Sequence, residues 1–243
     1  MQLTLWVASA IVLSILSVLA LTIDVSSLPL FALAIPAIWI VQAGGVASWL
    51  MLGAVALYST GLSQQPLSLS ISILMFFPAI QVIFSKRASW QLGLLIAIIV
   101  VAMYAGIIAL QQDGKLAGEG LLTIGQMLGV CGAWLAARSW RAAMVNPLWS
   151  VGMAIPVALS GQAHAALAGL TLVGVMVALQ TIGNSKHREW VEKLCWVLPT
   201  IAFATLVVAF PSTVPQTIIV CWLLVLSSAW IGEYLSEELN EEY

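Results

Sequence analysis

Pro78 and Gln81 stand about one helical turn apart in an apolar run, where backbone and side chain could act on the same small opening. A proline inside a helix removes one amide donor and leaves the carbonyl one turn earlier without its usual partner. A glutamine on that face adds a donor and an acceptor. Pro36, Pro156 and Pro199 occupy comparable runs, and Gln126 lies near one end of another. Freed carbonyls, primary amides and indole rings bind by hydrogen bonding and stacking, which suits a neutral or zwitterionic organic solute better than a multivalent ion. The candidate substrate-binding residues are therefore Gln81, Pro78, Pro36, Pro156, Pro199 and Gln126, with Gln81 first. Each also has a commoner structural role: the prolines as packing kinks, the amides as interhelical hydrogen bonds.

Covalent chemistry finds less support. Ionisable side chains inside a membrane mark proton relays and acid–base pairs, and none falls near the middle of an apolar run here. No nucleophile–base pair and no HExxH zinc pattern can be found. Cys131, Cys195 and Cys221 lie within apolar runs, without metal-ligand spacing. No enzyme activity, catalytic residue, metal site or cofactor is expected. Gln42, Asn146, Gln162, His164 and Gln180 complete the polar inventory of the runs, His164 reading as an interfacial histidine.

The elements that would hold these residues are membrane helices. With 62% hydrophobic and 7% charged residues and a mean hydropathy of +1.07, the chain cannot display the polar surface of a water-soluble domain of 243 residues. No basic stretch is dense enough for nucleic acid. Crossing the hydrocarbon core takes about 20 residues. The apolar runs predict ten helices, at 3–23, 28–43, 46–62, 67–84, 91–110, 121–138, 145–160, 163–182, 194–210 and 216–235, with Gly44 and Gly45 separating the second from the third. The second and third are the shortest for a crossing.

Charge fixes the sidedness. Lys86, Arg87, Arg138, Arg141, Lys186, Arg188 and Lys193 occupy alternate gaps, which belong in the cytoplasm together with both termini. Ten of the eleven tryptophans, Trp39 among them and Trp222 the exception, then fall toward that leaflet, as interfacial anchors would. Glu237, Glu238, Glu241 and Glu242 read as a short solvated tail. Pro36 and Pro78 recur as Pro156 and Pro199 at offsets of 120 and 121 residues. Five helices per half is an odd number, so the second half would insert upside down relative to the first. The chain thus divides into a half at 1–115 and a half at 116–243. Gly125, Gly129 and Gly132, and Ala165 with Gly169, read as close helix contacts.

Within Ser70 to Leu110, the run Phe77-Pro78-Ala79, the basic turn Ser85-Lys86-Arg87 and then Gln91-Leu92-Gly93 ahead of a small-aliphatic helix resemble the helix 4 to helix 5 segment of EamA-like proteins in the drug/metabolite transporter superfamily. Pro199, the turn Phe210 to Pro215 and Gln216 look like its counterpart in the second half. The resemblance implies a ten-helix, inverted-repeat permease of the cell inner membrane that exports or exchanges small metabolites by alternating access. Its partners would be the lipid bilayer and a small-molecule solute, with a second copy or another membrane protein left open. The alternative is a membrane scaffold or regulatory subunit that transports nothing, which would show a dry, apolar lateral groove.

Overall fold

A backbone surrounded by apolar side chains has to satisfy its own N–H and C=O groups, and the helix does so within one segment. The computed structural model describes residues 2–24, 30–85, 89–139 and 148–241, and every element among them is helical. Lys86, Arg87, Trp140, Arg141, Asn146 and Glu242 lie outside the described residues, and of Glu237, Glu238 and Glu241 only the helical backbone is described.

The helices are α1 (Gln2–Ile23), α2 (Ala34–Gln42, entered through a 3-10 turn at Leu30–Leu33), α3 (Gly45–Leu62), α4 (Leu67–Ile73), α5 (Phe76–Ile83), α6 (Trp90–Gln112), α7 (Gly120–Ser139), α8 (Leu148–Leu159), α9 (Ala163–Gly183), α10 (Glu189–Ala209) and α11 (Gln216–Glu241). Seven of them, α1, α3, α6, α7, α9, α10 and α11, are long and apolar enough to cross a membrane. The third expected segment reaches that length in α3. Among the described residues α2 covers nine residues and α8 twelve.

The fourth expected segment is divided in two by its proline. Pro78 has no N–H for the Leu74 carbonyl, and that carbonyl takes the Phe77 amide at 3.0 Å instead, tightening the chain between α4 and α5. Between α2 and α3, Gly44 and Gly45 hold consecutive positive φ angles of 68° and 81°, which side chains with a Cβ rarely adopt. Ser89 caps α6 by accepting the Leu92 amide at 3.3 Å.

Small residues set the closest approaches. A Cβ at Gly129 would lie 2.9 Å from the Ala54 carbonyl oxygen, and one at Gly132 would lie 3.2 Å from the Ala54 Cβ, so α7 rests directly on the backbone of α3. Gly61 faces Gln126 further along, which makes the pair antiparallel. On the other side Gly174 of α9 receives Leu13 of α1, while Ala10 clusters with Ala178 and Ile182, again antiparallel. Gly169 of α9 receives Ile35 of α2, and Ala165 is buried in the same cluster.

The neighbour relations extend this pattern. The longest pairings are α3 with α7 and α1 with α9; α1 also meets α10, and α7 meets α4 and α5. Further pairs are α2 with α8, α10 with α4 and α5, and α6 with α11. One core cluster lies among α4, α5, α6, α10 and α11, a second among α2, α3, α8 and α9, and a third where α1, α9 and α10 meet. The outer faces are apolar as well, with Val46 86% and Val208 82% exposed, the surface of a protein whose solvent is lipid.

Trp49, Trp90, Trp149 and Trp230 are exposed, as interfacial anchors should be. Trp39 departs from that expectation: at 2% exposure it is a core residue between α2 and its neighbours. Trp222 lies inside too, its ring stacked on Phe203 at 4.7 Å.

Candidate functional site

A buried polar assembly lies where α3 ends, α4 begins, α6 ends and α7 begins. Gln126, 0% exposed, donates from Nε2 to the Tyr58 carbonyl at 3.1 Å and to the Ser70 hydroxyl at 2.9 Å. Its Oε1 accepts from Gln65 Nε2 at 3.3 Å. Gln65 Oε1 in turn accepts from Thr123 Oγ1 at 2.8 Å and from Gln111 Nε2 at 3.4 Å. Thr123 Oγ1 also lies 2.9 Å from Gln111 Oε1 and 3.3 Å from the Glu119 carbonyl, so its single proton has three acceptors within reach. Tyr58 closes the circuit by donating to the Ser70 carbonyl at 2.7 Å.

Local sequence explains how these groups meet. Thr123 and Gln126 are three residues apart on α7 and so share a face. Gln65 sits in the short link between α3 and α4, and Gln111 occupies the last turn of α6. Two glycines provide the room: a Cβ at Gly61 would fall 2.5 Å from the Gln126 amide, and one at Gly118 would fall 2.8 Å from Gln111 Nε2. Gly118 also has a φ of +104°, so the link between α6 and α7 folds over the amides with a backbone that glycine adopts freely.

The expected site residues are divided among different places. Pro36 and Pro156 are on the neighbouring helices α2 and α8, Pro36 buried and Pro156 exposed. Pro78 and Pro199 are both buried, on the neighbouring helices α5 and α10. The four prolines thus lie on two pairs of neighbouring helices. Near the start of α2, Pro36 occupies a position whose N–H would have no intrahelical acceptor anyway. The carbonyl that Pro78 releases is already taken by Phe77. Gln126 belongs to the amide cluster, in the interhelical bonding role common for such residues.

Gln81 differs from Gln126. Its Oε1 is buried and accepts no hydrogen bond in the structure, which leaves an acceptor open. A short distance away, Phe84 packs against Trp134 at 5.2 Å, and the Arg138 guanidinium lies 3.9 Å over that indole. Gln162 Oε1 is another buried acceptor without a partner, Gln42 is exposed, and His164 is half-buried. Among the described residues no three of His, Cys, Asp and Glu gather as metal ligands would. What these groups can do is hydrogen-bond and stack.

Sequence reasoning missed Gln65, Gln111, Thr123, Ser70 and Tyr58. One signal was available: Gln64-Gln65 and Gln111-Gln112 end two apolar runs that alternate topology places on the same side. No family model matches this chain, nor does any curated protein or solved structure. Among the described residues the protein is all-helical, with seven helices long and apolar enough to span a membrane.

Proposed function

We propose that this protein is a ten-crossing permease of two inverted five-helix halves, moving a small neutral or zwitterionic organic solute across the cell inner membrane by alternating access. One observation carries the reading. Let α1 stand for α7, α2 for α8, α3 for α9, α4–α5 for α10 and α6 for α11. The pair α3–α7 then becomes α9–α1, and α1–α10 becomes α7 with α4–α5. The pairs α2–α8, α4–α5 with α10, and α6–α11 each map onto themselves. A pseudo-dyad relating two inverted halves requires such an exchange. The correspondence is incomplete, since the α2–α9, α5–α6, α5–α11 and α6–α7 contacts have no counterpart of similar extent.

Within this plan the broken α4–α5 helix is the discontinuous element typical of transporter sites, and Gln81, with its open acceptor, is the solute contact. The plan is that of EamA-like permeases, which the segment around Phe77-Pro78-Ala79 resembles. The experiment is a metabolite comparison of cells lacking and overproducing the protein, followed by flux into proteoliposomes. Gln81→Ala should weaken apparent solute affinity about 5- to 10-fold, equivalent to about 1–1.4 kcal/mol for one hydrogen bond, with protein yield unchanged. Unchanged flux removes Gln81 from the site.

A second reading has its own observation. A lateral groove of about 420 Å³ between α1 and α10, lined by Leu19, Ile201, Ala204, Thr205, Val208 and Ala209, is almost wholly apolar. A non-transporting scaffold subunit would present such a groove to a partner helix. Absence of flux for every solute, together with co-purification of a stoichiometric membrane partner, would favour it.

A further inference from the structure

The amide cluster joins both sides of the division at residue 115, because Gln65, Ser70 and Gln111 precede it and Thr123 and Gln126 follow it. α3 and α7 cannot part at this end without breaking bonds to Gln126. The link from α6 to α7 lies on the same bonds through Gly118, and its Leu116 is buried. The junction where the start of α1, the end of α9 and the start of α10 meet has an apolar core instead. It is filled by Ala10, Ala178, Ile182, Leu194 and Leu198.

We propose that the amide cluster is a latch: the closed gate of the permease on its non-cytoplasmic side, which has to release for the bundle to open there. The proposal rests on the transport reading. Hydrogen bonds hold a gate in one defined geometry and break as a set, whereas apolar packing holds over a range of positions. Gly61 and Gly118 fit the cluster closely in its closed form, because each leaves space that an amide occupies. The partners in these bonds are amides, hydroxyls and backbone carbonyls, so release requires no change of protonation.

The test uses thiol accessibility in nanodiscs, with Cys131, Cys195 and Cys221 replaced by Ala. Ser72→Cys, deeper along α4 than Ser70 and 1% exposed, is the reporter, and Ala178→Cys, 1% exposed at the apolar junction, is the control. A membrane-impermeant maleimide should label both slowly. Adding Gln65→Leu or Gln126→Leu should speed labelling at position 72 at least tenfold and leave position 178 unchanged. Equal rates at position 72 with and without the cluster would overturn the latch. Parallel acceleration at both positions would overturn it too, since that result means general loosening. No solute enters the measurement, so a chain that moves none leaves the labelling outcome interpretable, and flux that persists alongside unchanged labelling refutes the latch alone.

Discussion

Two junctions of the bundle have cores of different chemistry. Where α3, α4, α6 and α7 meet, amides and hydroxyls form a nearly saturated set of hydrogen bonds around Gln126. Where α1, α9 and α10 meet, alanine and branched aliphatic residues interlock around Leu194. Helix junctions can thus be held mainly by direction-dependent bonds or mainly by shape. The first type fails when one partner is lost, because the others are left buried and unsatisfied. The second fails when volume is lost.

Exchanging the chemistries is the strongest way to break that contrast. Leu194→Ala should cost about 2–5 kcal/mol through the cavity it leaves, read as a shift in chemical unfolding in mixed micelles. Gln126→Leu keeps volume but takes the donor from the Ser70 hydroxyl and the acceptor from Gln65 Nε2, and should cost about 2–3 kcal/mol in the same assay. If Gln126→Leu is neutral, the cluster is no more specific than the apolar junction. Gly61→Ala, whose new Cβ meets Gln126, should lose about 1–3 kcal/mol, whereas Gly53→Ala, with open space around it, should be neutral or gain up to about 1 kcal/mol. The smallest effect belongs to the exposed Lys115–Asp113 pair at 3.1 Å: Asp113→Ala should shift stability by less than about 0.5 kcal/mol, although it lies on the link above the latch.

Much of the helical layout was legible because it depends on run length and on breakers the sequence displays. Gly44-Gly45 marks a turn, and Ser89 precedes α6 as a cap. Gly129 and Gly132 announce the α3–α7 approach, since only small side chains let backbones come that close. The division of α4 from α5 could have been read from Pro78, but a single proline does not say whether a helix will bend or separate. Pro156 shows the related problem: its exposure depends on which way α8 faces, and that is decided by α9 and α2. Trp39 reads as an anchor by type and by depth, yet packing against distant segments buries it. Gln65 and Gln111 were hidden at the ends of runs, where an amide ordinarily meets water. Their meeting with Thr123 depends on three links of chain closing over one another, a tertiary fact with little local trace.

Gly61 carries an implication for how this sequence can vary. Its missing methyl and the length of the Gln126 side chain fill one volume between them, so the two positions are not independent variables. Alanine at position 126, which lacks both Cγ and the amide, would release the space that alanine at position 61 needs. A double substitution of that kind should recover stability that either change alone forfeits, so variants that alter both sites should be accessible where single ones are not.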